Sequence, residues 1–127
     1  MNVVDSSGWL EYFADEPKAG FFAPAIENTK ELIVPAISLY AVFKRVYQQR
    51  GEGDALRASA QMTQGQVIDL DQALALRAAK LSLDKRLPMA DSIIWATALA
   101  HGAILWTQDE HFKGLPAVQY IEKQPAA

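Results

Sequence analysis

The sequence predicts an α/β fold in which helices cover a central, mainly parallel sheet of five strands. Short apolar runs alternate along the chain with longer segments whose apolar residues recur every three or four positions. The short runs are typical of buried strands, and the longer segments are typical of amphipathic helices. Alternating strands and helices indicate a parallel sheet, because each strand is joined to the next through a helix. We expect strands at residues 1–5, 32–35, 67–70, 103–106 and 118–121.

The helices predicted in the first half of the chain have recognisable ends. Ser6 can cap a helix after the first strand, and Pro17 suits the first turn of a second helix. Gly51 and Gly65 each follow an amphipathic segment, and glycine commonly ends helices. We expect these helices at about residues 6–13, 17–26, 37–50 and 54–64.

The second half of the chain continues the same alternation. Asp71 can cap a helix that follows the third strand and carries leucines at helical spacing. Pro88 suits the first turn of the next helix, and Gly102 ends that helix. The fourth strand follows at once, and a loop around Pro116 leads to the fifth.

The length and composition indicate one domain without a membrane anchor. The chain has 127 residues, half of them hydrophobic, which is enough for one core. We expect a single domain over residues 1–122 and a short tail over residues 123–127. No apolar run approaches the roughly 20 residues of a transmembrane helix, and the N-terminus lacks the basic residues of a signal peptide. The absence of cysteine excludes disulfides and thiolate metal sites and fits a cytoplasmic protein.

The formal net charge of -3 limits how the chain can bind nucleic acid. Proteins that hold nucleic acid by charge alone carry an excess of basic residues. Any RNA contact must therefore use a local basic patch, or cations that offset the acidic groups. Lys44 and Arg45 are candidates for RNA contacts, because helical spacing places them on one face with position 41. A solvated charged face is the alternative interpretation of these two residues.

Three aspartates occupy positions at which α/β proteins commonly form sites. Asp5 ends the first strand, Asp109 follows the fourth strand, and Asp91 lies in the first turn of the helix that opens after Pro88. Sites in open α/β sheets form beyond the carboxyl ends of the strands. If the first and fourth strands are neighbours, the three carboxylates converge. Grouped carboxylates repel one another and suit a hard divalent cation such as Mg²⁺ or Mn²⁺, which can activate water for attack on a phosphodiester.

Each aspartate alone also has a simpler explanation. Asp5 can be a helix cap, Asp91 can complement a helix dipole, and Asp109 can be a turn residue. The metal-site interpretation therefore depends on all three residues meeting in one place.

Four segments of the chain resemble the PIN-domain nucleases, specifically the VapC-type toxins. Val-Val-Asp-Ser-Ser at 3–7 resembles the first acidic strand of that family. Pro-Met-Ala-Asp-Ser-Ile-Ile-Trp-Ala-Thr-Ala at 88–98 resembles its third-acid helix. Ile-Leu-Trp-Thr-Gln-Asp-Glu-His-Phe at 104–112 resembles its fourth-acid loop, and Gly-Leu-Pro-Ala-Val follows at 114–118. The segments occur in the family's order and span nearly the whole chain.

The resemblance implies a fold, an activity and partners. The fold would be a three-layer α/β/α sandwich, and the activity would be that of a Mg²⁺- or Mn²⁺-dependent endoribonuclease. The protein would be the toxin of a toxin–antitoxin system, a homodimer that binds RNA and a cognate antitoxin. Asp5, Asp91 and Asp109 would hold the metal, and Ser6 and Thr107 would be supporting polar groups.

One position departs from the family pattern. The resemblance implies a glutamate in the helix after the second strand, but Ala41 occupies that position. Alanine cannot ligate a cation, so we expect metal binding and catalysis to be weakened or lost. The chain is then either a disabled form of an active enzyme or a natural, catalytically silent protein that binds RNA or antitoxin only. His111, two residues after Asp109, stands where many members of the family carry a further acid.

A phospho-receiver domain is the alternative of a different class, because receivers are also small α/β domains with acids at strand ends. Receivers need paired acids after the first strand and a phospho-accepting aspartate at the end of the third. Asp5 is followed by two serines, and Asp69 is expected inside the third strand. A lysine in the loop after the last strand is not evident. These departures favour the nuclease.

Overall fold

The computed structural model describes residues 1–123 and contains one sheet of five parallel strands. The strand order is β3-β2-β1-β4-β5, which makes the first and fourth strands neighbours. Val3 at the centre of the sheet lies opposite Ile33 on one side and Leu105 on the other. The strands are β1 (Asn2–Val4), β2 (Leu32–Pro35), β3 (Gln66–Ile68), β4 (Ile104–Thr107) and β5 (Val118–Tyr120). Residues 124–127 of the expected tail lie outside the described residues.

Six α-helices cover the sheet within the described part of the chain. They are α1 (Ser6–Phe13), α2 (Ala19–Glu27), α3 (Ala36–Arg50), α4 (Glu52–Met62), α5 (Gln72–Lys85) and α6 (Met89–Ala100). Short 3₁₀ turns occupy Thr29–Glu31 and Glu110–Phe112. Within residues 1–123, every helix is too short or too polar to cross a lipid bilayer.

Alternation along the strands divides the core into two layers. Val4 and Val34 point to a cluster formed with α1 to α4, whereas Val3 and Ile33 point to a cluster that includes α6. Helix α5 packs outside against α6. The result is a three-layer α/β/α sandwich, and the predicted fold class is confirmed.

Several element boundaries differ from the sequence prediction for local reasons. Helix α4 starts two residues earlier than expected, because Gly51 alone joins it to α3 with a φ of 90° that favours glycine. Strand β3 ends at Ile68, since its partner β2 ends at Pro35 directly opposite. Helix α2 starts at Ala19, because Pro17 still belongs to the turn that follows α1.

The start of α1 is packed without spare space around Gly8. A Cβ atom at Gly8 would lie 2.6 Å from the Phe22 ring and 2.7 Å from a methyl of Val4. Because such separations are shorter than van der Waals contact, only glycine fits between the sheet and α2 at this point. The Gly8 backbone can therefore approach the end of β1 closely.

We expect Gly8→Ala to destabilise the protein by roughly 1–3 kcal/mol, because overpacking shifts Phe22 or the helix. Gly20→Ala is the matched control, since a Cβ there meets no atom within 4 Å and alanine favours the helix. Urea denaturation curves of both variants provide the measurement. Equal stabilities of the two variants would contradict the packing argument.

Candidate functional site

The candidate site lies at the carboxyl edge of the sheet, where the neighbouring strands β1 and β4 end. Asp5 follows β1 directly and is the N-cap of α1. Its Oδ1 accepts hydrogen bonds from the Gly8 backbone N–H at 2.9 Å and from the Ser7 hydroxyl at 3.0 Å. The carboxylate is almost fully buried, so these donors compensate for much of its lost hydration.

Thr107, the last residue of β4, links Asp5 to the loop that carries Asp109. The Thr107 hydroxyl donates to Oδ2 of Asp5 at 2.5 Å. The Thr107 hydroxyl oxygen also accepts a hydrogen bond from the Asp109 backbone N–H at 2.9 Å. A backbone bond from Asp5 N–H to the Trp106 carbonyl, 3.2 Å long, holds the two strand ends side by side.

Asp91, Asp109 and His111 bring three potential metal ligands together. Oδ1 of Asp109 lies 2.8 Å from Nδ1 of His111, and Oδ2 of Asp91 lies 3.4 Å from the same nitrogen. One ligand atom from each residue lies within 4.8 Å of the other two. Among the described residues, Asp5 borders this group but is not a member of it, because its oxygens are turned to Gly8, Ser7 and Thr107.

Burial and neighbouring charge raise the pKa of two of the acids, Asp5 and Asp91. Burial, then the charge of Asp109 and a hydrogen bond with it, raises the pKa of Asp91 from 3.8 to about 7. Asp5 raises the same pKa further, and His111 lowers it. Burial also raises the pKa of Asp5, against the hydrogen bonds from Thr107, Gly8 and Ser7. The site therefore holds more negative charge than its own residues neutralise, which suits a bound cation.

Comparison with known protein families matches residues 3–118 to the PIN domain. The chain belongs to the PIN-domain family. The matched residues include Asp5, Asp91 and Asp109.

Solved structures share this PIN fold at low sequence identity. A toxin–antitoxin complex from Klebsiella pneumoniae matches with a TM-score of 0.79 and 22% identity, over 94% of this chain and 96% of that chain. VapC20 from Mycobacterium tuberculosis, described as a sarcin–ricin loop cleaving toxin, matches with a TM-score of 0.76 and 16% identity, over 98% of this chain and 100% of that chain. At such identities the likeness shows a common fold.

A curated relative matches part of the PIN domain more closely in sequence. The chain is 50% identical over 46 residues to Ribonuclease VapC4 of Mycobacterium tuberculosis. This segment is 36% of the present chain and 32% of the relative, so the match spans about a third of VapC4.

The structure places the other predicted site residues in different surroundings. The serine hydroxyl that donates to Asp5 comes from Ser7 rather than from Ser6. Ala41 lies on α3, which begins at the end of β2 beside β1, and is partly buried. Ser38, one helical turn before Ala41, is fully buried, and its hydroxyl has no hydrogen-bond partner among the described residues.

Lys44 and Arg45 lie on two different surfaces of the PIN domain. Lys44 lies over the Tyr40 ring, on an exposed apolar surface of α3 that also includes Tyr47. Arg45 lines a groove between α1, α3 and α4 together with Glu11. The helix thus divides the predicted basic face, and only Arg45 shares the four-residue spacing with Ala41.

The expectation that Asp69 lies inside the third strand was wrong. Asp69 is exposed and follows β3, whose last residue is Ile68. Strand β3 is at the edge of the sheet, separated from β1 by β2, so Asp69 is remote from the other acids. Phospho-receivers have the strand order 2-1-3-4-5, and the observed order 3-2-1-4-5 excludes that class.

The sequence analysis noted His111 but did not assign it to the site. The signal is the spacing Asp-x-His, because an aspartate that caps a 3₁₀ turn accepts a hydrogen bond from the backbone N–H two residues later. Asp109 accepts this bond from His111 at 3.0 Å, which turns the imidazole toward the carboxylates.

We expect the free energy of unfolding of the metal-free protein to fall as pH rises from about 4 to about 7. The folded state keeps a proton on Asp91 up to about pH 7, whereas the unfolded state loses it near pH 3.8. Asp91→Asn should remove this contribution. The fall in the free energy of unfolding between about pH 4 and pH 7 should then be smaller by roughly 1–4 kcal/mol. Chemical denaturation at several pH values with a chelator present measures the free energy of unfolding, and Asp69→Asn is the control. Parallel curves for wild type and Asp91→Asn would refute the interpretation.

Proposed function

We propose that this PIN-domain protein is the toxin of a toxin–antitoxin pair, a Mg²⁺- or Mn²⁺-dependent endoribonuclease whose activity is reduced by Ala41. The observation that carries the proposal is the meeting of Asp91, Asp109 and His111 beside Asp5 at the sheet edge. The names of the relatives support it, since VapC4 is named a ribonuclease and VapC20 is described as a sarcin–ricin loop cleaving toxin.

The donor set of this site fits a divalent cation. Asp91 and Asp109 offer oxygen ligands, and burial first and the charge of Asp109 second raise the pKa of Asp91, which a bound cation would lower. A cation bound there offsets the charge that develops on a phosphodiester and favours the ionisation of attacking water. Asp91 lies in the first turn of α6, where the helix dipole supports its ionised form.

Asp5 belongs to the proposed metal site with Asp91 and Asp109, and its buried carboxylate also orients the other acids. Gly8, Ser7 and Thr107 fix its carboxylate, and Thr107 in turn orients the backbone at Asp109. The charge of Asp5 then strengthens the field that attracts a cation. The protein's own residues thus provide a fixed acidic surface that would hold the cation beside an RNA phosphate.

The catalytically silent alternative is favoured by Ala41. The methyl group of alanine offers no ligand, and within residues 1–123 the buried hydroxyl of Ser38 on the same side of α3 has no hydrogen-bond partner. A glutamate at position 41 would return a fourth acid to this end of the sheet. Under this alternative the chain would bind RNA or antitoxin with little cleavage.

We expect Ala41→Glu to increase Mg²⁺- or Mn²⁺-dependent cleavage of an unstructured, end-labelled RNA by at least about tenfold, because the added carboxylate completes the acidic site. Ala41→Gln is the matched control, since it adds the same bulk without the charge. Gel analysis of the cleaved RNA with and without a chelator gives the rate. An Ala41→Glu protein that stays inactive, folded and metal-bound would overturn the proposed catalysis.

RNA binding should depend on Arg45 more than on Lys44, because Arg45 lines the groove between α1, α3 and α4, whereas Lys44 lies on the apolar surface with Tyr40. We expect Arg45→Ala to weaken binding and to reduce the salt slope of affinity by about one, whereas Lys44→Ala has a smaller effect. Fluorescence anisotropy at several salt concentrations measures both. Equal effects of the two substitutions would show that the division of the basic face has no role in binding.

Two surfaces support the proposed protein partners. The groove of about 470 Å³ between α1, α3 and α4 has an apolar floor that includes Leu10 and Phe13 and a charged rim, which suits an antitoxin helix. The exposed Tyr40 and Tyr47 on α3 form an apolar surface suited to a homodimer. The proposed setting is the cytoplasm, where RNA and antitoxin are found.

A further inference from the structure

We infer that His111 is a direct nitrogen ligand of the cation at this site and that it makes the site select Mn²⁺ over Mg²⁺. This inference rests on the proposed function, because it assigns a ligand and a metal preference to the same site. It concerns a residue at which the chain departs from the all-oxygen site that the family resemblance implies.

The distances around Nδ1 of His111 match those between ligands of one ion. Two ligands at adjacent corners of an octahedron, each about 2.1 Å from the ion, are separated by about 3 Å. The nitrogen lies 2.8 Å from Oδ1 of Asp109 and 3.4 Å from Oδ2 of Asp91. Small movements of these three side chains would therefore give all three atoms a common ion.

The backbone holds the imidazole in this position. Asp109 caps the Glu110–Phe112 turn by accepting the His111 backbone N–H, and Phe112 anchors the turn in the core with no exposed surface. The His111 side chain itself is 52% exposed, so solvent can deliver an ion to it. The ligand pair Asp109 and His111 is thus preorganised by one short turn.

The type of donor atom determines the choice of metal. Mg²⁺ binds almost entirely through oxygen, whereas transition ions accept imidazole nitrogen more readily. Ala41 removes an oxygen ligand from the set that the family resemblance implies, and His111 supplies a nitrogen instead. Two carboxylates and one imidazole favour Mn²⁺ over Mg²⁺.

A different role for His111 makes a different prediction. If the imidazole served only as a counter-charge for Asp91 and Asp109, an incoming cation would displace it from both carboxylates. The nitrogen would then be absent from the coordination sphere, and its removal would not weaken cation binding.

The experiment uses tag-free protein, because the chain contains only two histidines. Pulsed electron paramagnetic resonance of bound Mn²⁺ should show coupling to one imidazole nitrogen in the wild type and in Ala41→Glu. Titration calorimetry should show that His111→Asn weakens Mn²⁺ binding by at least about tenfold and Mg²⁺ binding much less. His111→Asp should move the preference toward Mg²⁺.

His101→Asn is the matched control. His101 follows α6, ten residues and roughly 15 Å from Asp91, and its Nδ1 contacts the Thr97 carbonyl. We expect it to leave both the nitrogen coupling and the Mn²⁺ affinity unchanged. Thermal melts without metal confirm that each variant is folded. The resonance spectrum of the wild type tests nitrogen coordination even if a variant fails to fold.

The possible outcomes distinguish failure of the His111 ligand assignment from failure of the proposed function. Mn²⁺ bound without nitrogen coupling, or with equal affinity in His111→Asn, would overturn the ligand assignment and leave the proposed function standing. Failure of both the wild type and Ala41→Glu to bind either cation would overturn the proposed metal-dependent function and this inference with it. Coupling in the wild type that disappears in His111→Asn supports the assignment.

Discussion

The hydroxyl of Thr107 is the contact on which the site depends. It donates to the buried carboxylate of Asp5 and accepts the backbone N–H of Asp109, so one oxygen joins the ends of β1 and β4. Only a hydroxyl can donate and accept at once in so small a volume, and valine of similar shape would leave both partners unsatisfied. The separation of the acids on the two strands is fixed by this bond and by the parallel pairing beneath it.

The sequence was sufficient to predict the layers and the places of Asp5 and Asp91 in the fold, because each follows from a local pattern. A short apolar run that ends in Asp5 indicates a buried strand end, and Asp91 after Pro88 indicates a helix start. Other features depend on contacts that no periodicity encodes. The end of β3 is set by Pro35 on its neighbour, and the rotation of α3 alone decides that Lys44 and Arg45 face different surfaces. The role of Ser7 instead of Ser6 is likewise a matter of which side of α1 faces Asp5.

The charges of the site oppose the stability of the fold. Asp5, Asp91 and Asp109 are brought together by strand pairing even though the charge of Asp109 makes ionisation of Asp5 and Asp91 more costly. Ala41 lessens this repulsion relative to a site with four acids, and the imidazole of His111 offsets part of what remains. The metal-free domain is therefore less strained electrostatically than a four-acid site would be, at the expense of affinity for the cation.

Asp5 has a structural role as the N-cap of α1 and a role in the acidic site, and a loss of catalysis would remove only the second. As the N-cap of α1 it satisfies the Gly8 N–H, and an alanine there would cost about 1 kcal/mol whether or not the protein cleaves anything. Asp109 likewise caps its own turn. Natural selection for folding alone is then enough to retain these aspartates in a lineage that has lost catalysis. Position 41 lies inside α3 and caps no helix, so an acid there can be replaced by alanine without harm to the fold.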